Sequence, residues 1–179
     1  MATTTSRAAI VAAARTPIGT ARKGTLANVP AIELAKPVVA AVVDRSGLAP
    51  ADFDDLVLAE SMQGGGDSAR YIAVALGLID IPGLAVNRQC ASSLSAIAVG
   101  AGQIAAGMSR AILAGGMESL STGPIMQKRK LFTTGKSPED YEQWFPESHP
   151  PTAMADRLDA HCRLTASPGM SIRPRATAM

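Results

Sequence analysis

From residue 8 to about residue 115, short apolar runs alternate with segments whose apolar positions recur at helical spacing. Residues 8–14 (AAIVAAA) form the first run, closed by Arg15, Thr16 and Pro17. That pattern predicts a short buried strand. A helix is predicted over 30–45, with Pro30 in its first turn and Gly47 at its end. Pro37 falls inside that span and costs about 3 kcal/mol in a helix interior. The helix must therefore kink at Pro37 or begin later. Further strands are predicted over 55–60 (DLVLAE), 83–89 (GLAVNRQ) and 110–115 (RAILAG). Helices are predicted over 68–77 and 91–108 between them. Four strand-and-helix alternations predict a layered α/β fold with a mainly parallel sheet. Nearly continuous apolar strands agree with a sheet covered on both faces.

The pattern changes after about residue 122. Only Phe53 and Tyr71 are aromatic before that point, whereas Phe132, Tyr141, Trp144 and Phe145 follow closely after it. Six of the 12 prolines lie between Pro138 and Pro174, so one half of the prolines mark an irregular excursion. The chain thus divides into an α/β part over 1–122, a loop or lid region beginning over 123–150, and a tail over 151–179. In that tail Arg163, Arg173 and Arg175 stand among Ser, Pro and Ala without apolar periodicity, and poor order is expected. No internal repeat is apparent.

Composition narrows the classes. The 179 residues are 47% hydrophobic, enough for a core, but only 3% aromatic, so the core must be built from small side chains. The net charge of +2 implies no nucleic-acid partner. No apolar run reaches the ~20 residues of a membrane span, and residues 1–7 hold no apolar signal core. A cytoplasmic location is expected on these grounds. Two cysteines, Cys90 and Cys162, build neither a disulfide framework nor a four-cysteine zinc site.

Cys90 has a chemical context. It falls at a strand-to-helix junction, after Asn87, Arg88 and Gln89 and before the small residues Ala91, Ser92 and Ser93. A helix N-terminus offers unpaired N–H groups and the positive end of the helix dipole, both favourable to a thiolate. The same N–H groups suit a developing oxyanion, and small neighbours leave room for a carbonyl. Position alone leaves two readings open: a nucleophile, or a buried and inert thiol.

The stretch over 86–97 (VNRQCASSLSAI) resembles the nucleophile motif of the thiolase family. Three further stretches resemble family motifs in the same order: 15–20 (RTPIGT), Ala69-Arg70 with the later Leu76-Gly77-Leu78, and 114–121 (AGGMESLS). Residues 144–150 (WFPESHP) resemble the start of the lid-like loop region in some members. The resemblance implies that Cys90 takes an acyl group from an acyl-CoA as a thioester. The acyl-enzyme then serves thiolysis of a 3-ketoacyl-CoA or Claisen condensation, in fatty-acid β-oxidation or related acyl-CoA metabolism. Coenzyme A enters as substrate or product, no separate cofactor or metal is implied, and a homo-oligomer, dimer or tetramer, is expected.

Family members are about twice as long and contain two similar halves, so the resemblance places this chain with the first half. The second half carries a Gly-His-Pro motif, whose His activates the nucleophile, and a Cys-x-Gly motif, whose Cys handles the α-carbon proton. Neither motif occurs here. The alternative function is therefore a catalytically incompetent fragment that binds or dimerises. His149 stands in a Pro-rich loop and is expected to be an exposed loop residue rather than a base. His161 and Cys162 are adjacent, poor geometry for a metal site, and Cys162 is read as incidental. Lys128, Arg129 and Lys130 either meet the acidic groups of coenzyme A or form a solvated basic turn. Gly64-Gly65-Gly66 is read as a turn before the second helix, because it lacks the spacing of a phosphate loop. Glu118 is assigned no catalytic role, and Met108 and Met117 are expected in the core. The helix after Cys90 is expected to expose apolar surface where the second half of the family packs.

Overall fold

A computed structural model of the chain describes residues 7–61, 63, 66–124 and 127–143. Two compact units are present, Met1–Pro124 and Ile125–Met179. The first is α/β. Helix α1 (Ala31–Ser46) leads to strand β1 (Asp55–Glu60), helix α2 (Ser68–Ala75), strand β2 (Gly83–Val86), helix α3 (Ser92–Ala105) and strand β3 (Ile112–Met117). The three strands form one parallel sheet in the order β2-β1-β3. Leu56 lies opposite both Gly83 and Leu113, which fixes the register across the sheet.

Alternation along the strands sorts side chains to two faces. Leu56, Leu58, Leu113 and Met117 join Ala31, Ala35 and Val39 of α1 and Ala69, Ile72 and Ala73 of α2 in one buried cluster. The α1 residues recur every four positions, a single stripe pressed on the sheet. On the opposite face α3 packs through the small residues Ser92, Ala96 and Gly100. A Cβ on Gly100 would stand 3.1 Å from Ile112 Cγ2, so the glycine sets how closely α3 approaches β3. The scarcity of aromatics follows from this spacing: small residues fill the helix–sheet seams.

Pro37 neither breaks nor delays α1, which runs from Ala31 through to Ser46. Pro30 is the N-cap rather than a first-turn residue, and Gly47 ends the helix in the left-handed conformation at φ 71°. Asp67 caps α2 by accepting from the Arg70 amide at 3.1 Å, and Glu60 of β1 accepts from the Ser68 amide at 2.8 Å.

The first expected strand does not form. Residues 8–14 pair with no strand among the described residues, and Ile10 and Val11 are 84% and 70% exposed. Their recorded tie is the Arg45 guanidinium, which donates to the Ala13 carbonyl at 3.3 Å. An apolar run states that a segment suits burial, but a strand also needs a partner edge, and five of these seven residues are alanine, a weak strand former. The sheet therefore has three strands where four were expected. Met108 also departs from expectation: it lies beyond the left-handed Gly107 that ends α3 and is 75% exposed, whereas Met117 is buried. Leu94 and Ile97 on the outward face of α3 are exposed, as the sequence suggested for that helix.

In the second unit, β4 (Gln127–Arg129) and β5 (Tyr141–Gln143) pair antiparallel around a turn. The region expected to be irregular thus holds a short hairpin. The Asp140 carboxylate organises its turn by accepting from Thr134 Oγ1 and from the amides of Lys136 and Ser137. These donors, the Ser137 amide foremost, hold its pKa below the ordinary aspartate value.

Candidate functional site around Cys90

Parallel strands all point their C-terminal ends the same way, and the connections leaving those ends gather at one rim of the sheet. Three loops meet there. Ser61 and Gln63 follow β1, residues 87–91 follow β2, and Glu118 and Ser119 follow β3. Cys90 lies in the loop after β2, exposed, two residues before α3 begins.

The loop bearing Cys90 is held by short-range hydrogen bonds. Ser92 is 2% exposed, and its hydroxyl accepts from the Arg88 amide at 2.7 Å and donates to the Gln89 carbonyl at 2.6 Å. The Ala91 amide donates to the Arg88 carbonyl at 3.1 Å, and the Ser92 amide to the Gln89 carbonyl at 3.0 Å. Gln89 takes the left-handed conformation at φ 51°, which costs a residue other than glycine roughly 1 kcal/mol. Asn87 supports it, accepting from the Gln89 amide at 2.9 Å through its side-chain oxygen. The result is a tight strand-to-helix turn that carries Cys90, exposed, just ahead of α3.

Asn87 also joins the neighbouring loop. Its amide nitrogen donates to the Ser61 carbonyl at 2.9 Å. Ser61 Oγ and Gln63 Nε2 in turn donate to the two carboxylate oxygens of Glu118. Gly116 brings β3 against the opening of α3: a Cβ there would fall 2.2 Å from Ser93 Oγ and 2.5 Å from Ala59 Cβ. A shallow groove beside the turn is lined by Val86, Asn87, Arg88 and Ser95. A second cleft of about 270 Å³ separates residues 16–21 from residues 118–121. Two stretches singled out in the sequence, 15–20 and 114–121, therefore meet in space. The Arg22 amide donates to Ser121 Oγ at 2.7 Å and Ser119 Oγ to the Val29 carbonyl at 3.1 Å.

Cys90, Glu118 and Gly116 are thus brought to one rim. Asn87 and Ser61 were not singled out from sequence. Asn87 stood in the quoted motif as one polar residue among three, and its partner lies 26 residues earlier in the chain. Lys128, Arg129 and Lys130 lie on and just after β4, exposed. Lys128 pairs with Glu142 at 3.6 Å and Lys130 donates to the Glu139 carbonyl at 2.7 Å, so both are engaged within the hairpin. Gly66 precedes α2, whereas Gly64 and Gly65 lie outside the described residues. His149, His161, Cys162 and the tail over 151–179 lie outside them as well. No helix among the described residues is long and apolar enough to cross a membrane.

Known proteins resemble this chain in sequence and fold. The family model for the thiolase N-terminal domain matches residues 8–149. An acetyl-CoA acetyltransferase of Paracoccus denitrificans is 37% identical over 122 residues, covering 66% of this chain and 31% of that protein. A 3-ketoacyl-CoA thiolase of Bacillus subtilis is 37% identical over 141 residues, covering 75% of this chain and 36% of its own length. Among solved structures, a thiolase of Ascaris suum in complex with coenzyme A superposes with a TM-score of 0.62 at 29% identity, covering 70% of this chain and 33% of that one. The chain spans about a third of the length of these relatives.

Proposed function

The chain belongs to the thiolase family, and from that premise we propose that Cys90 is the acyl acceptor of a thiolase-type acyl transfer. The observation that carries this reading is the placement of an exposed cysteine on a hydrogen-bonded turn at the N-terminus of α3. The thiol sulfur attacks the thioester carbonyl of an acyl-CoA. The carbon–sulfur bond to coenzyme A then breaks, coenzyme A leaves carrying the thiol proton, and Cys90 holds the acyl group as a new thioester. Attack and departure are both facile for a thioester, which makes the intermediate chemically economical. The positive end of α3 favours the oxyanion of the tetrahedral intermediate.

In Claisen condensation that acyl group then passes to the α-carbanion of a second acyl-CoA. In thiolysis Cys90 instead attacks the 3-keto carbon of a 3-ketoacyl-CoA, the bond between its second and third carbons breaks, the departing carbon takes a proton and leaves as acetyl-CoA, and the acyl group on Cys90 passes to coenzyme A. The Ascaris suum thiolase bound to coenzyme A supports coenzyme A as the ligand. The proposed setting is fatty-acid or related acyl-CoA metabolism in the cytoplasm, with a homodimer or homotetramer as the working assembly. Completing a cycle calls on a base and a second cysteine, whose family motifs do not occur in these 179 residues. This observation favours a second reading for the chain by itself: a module that binds or dimerises without turnover.

Incubation with acetyl-CoA followed by peptide mass spectrometry separates the two. The first reading expects one acetyl group on Cys90, absent from Cys90→Ala. An unmodified Cys90 rejects acyl transfer by this chain. An adduct without consumption of acetoacetyl-CoA plus coenzyme A leaves the acylation half-reaction in place and rejects turnover.

A further inference from the structure

The three loops at the rim form one hydrogen-bonded string that ends at the nucleophile turn. Glu118 follows β3, Ser61 follows β1 and Asn87 follows β2, so the string crosses the whole sheet in the order β3-β1-β2. Glu118 accepts from Ser61 Oγ and Gln63 Nε2 with separate oxygens. The carbonyl of that same Ser61 accepts from Asn87 Nδ2 at 2.9 Å, and Asn87 Oδ1 accepts from the Gln89 amide at 2.9 Å. Gln89 is the left-handed residue immediately before Cys90.

We propose that Glu118 is a positioning residue for Cys90, acting through Ser61 and Asn87; the proposal rests on the reading of Cys90 as acyl acceptor. A left-handed glutamine does not persist on local preference alone and must be held by its surroundings. Asn87 holds it only while its own carboxamide is fixed at both ends. The far end is fixed at the Ser61 carbonyl, and Ser61 is fixed by the Glu118 carboxylate. A carboxylate suits this post because both oxygens accept, whereas a glutamine in its place would turn an amide nitrogen toward one of two donors. Ser119 extends the anchor: its amide donates to Glu118 Oε1 at 3.2 Å and its buried hydroxyl to Val29. The Glu118 end of the string is thereby tied to the segment that precedes α1.

Amide hydrogen exchange followed by NMR on the full chain reads the string directly. Glu118→Gln and Ser61→Ala are each expected to speed exchange of the Gln89 amide about fivefold, the factor for one lost hydrogen bond. The double variant is expected to match either single one, since both cut the same link. The amides of Val57 and Leu113 keep the wild-type rate. Acetylation of Cys90 by acetyl-CoA is expected to slow to the same degree, while alkylation by iodoacetamide, which needs no aligned carbonyl, holds its rate. Unchanged Gln89 exchange in Ser61→Ala overturns the proposal, as does a double variant with additive effects. If Glu118→Gln unfolds the chain, Ser61→Ala, which deletes one hydroxyl, decides alone. If wild-type Cys90 takes no acetyl group, the acyl-acceptor reading fails, and the exchange rates still decide whether Glu118 positions the turn.

Discussion

Two side chains show how single residues hold the ends of β3 and α3. Asp54 accepts from the Arg110 amide at 2.6 Å and the Ala111 amide at 3.2 Å, closing the entry to β3. Those amides, Arg110 first, hold its pKa below the ordinary aspartate value. The folded state therefore favours the carboxylate. Its contribution is complete above the unfolded value of about 4 and is lost as pH falls through the lower folded value. Asp54→Asn is expected to lower the thermal midpoint at pH 7, and melts at falling pH should show the gap from wild type closing below about pH 4. Ser92 serves the nucleophile turn with a buried hydroxyl that bonds both Arg88 and Gln89. Ser92→Ala leaves the Arg88 amide without that acceptor, an expected loss of about 1–3 kcal/mol in urea unfolding. The place of Cys90 between a strand and a helix was legible in the sequence because such a junction is a local pattern. The string from Asn87 to Glu118 was not, because its links join residues 26 and 57 positions apart, and only the pairing of three strands brings them together.

Helix α1 carries a penalty that its packing outweighs. Pro37 is exposed, so its ring is not required in the core, and it removes the amide that would have donated to the Glu33 carbonyl. The stripe of Ala31, Ala35 and Val39 faces the sheet on the other side and keeps the helix continuous. Pro37→Ala is expected to stabilise the chain by roughly 1–3 kcal/mol, read as a higher urea midpoint with unchanged slope. Gly83 has the opposite character. A Cβ there would lie 2.2 Å from the Arg70 amide nitrogen, which is backbone and part of α2. Arg70 binds the same connection from above, donating to the carbonyls of Ile79 and Ile81. Gly83→Ala is expected to cost about 1–3 kcal/mol and to disturb the α2–β2 crossover, detectable as a lower urea midpoint. At this scale the apolar runs that became β1, β2 and β3 were readable, since continuous Val, Leu and Ala between charged or glycine ends suit a doubly covered strand. Residues 8–14 carried a similar pattern and stayed unpaired, because pattern records an affinity for burial and says nothing of which edge receives the segment.

Across the first unit, polar contacts tie the connections at both ends of the sheet, while apolar surface stays open on the outward face of α3. Leu94 is 72% exposed and Ile97 is exposed beside it on the outward face of α3. Exposed apolar side chains in one patch favour contact between copies of a chain. Sedimentation velocity is expected to show association that grows with concentration, and Leu94→Lys is expected to shift the distribution toward monomer. A concentration-independent monomer in the wild type contradicts this. The sheet order has a further consequence, for the time course of folding. The strand made first, β1, ends at the centre of the sheet, and β2 and β3 join on opposite sides of it. Each parallel partner starts only after a crossover helix, at residues 83 and 112. A chain emerging from synthesis thus presents a lone central strand until β2 arrives, and the sheet grows outward from its oldest member. Every strand pairing closes a long loop, so the apolar central strand is the earliest of the three to be made and the last to be fully sheltered.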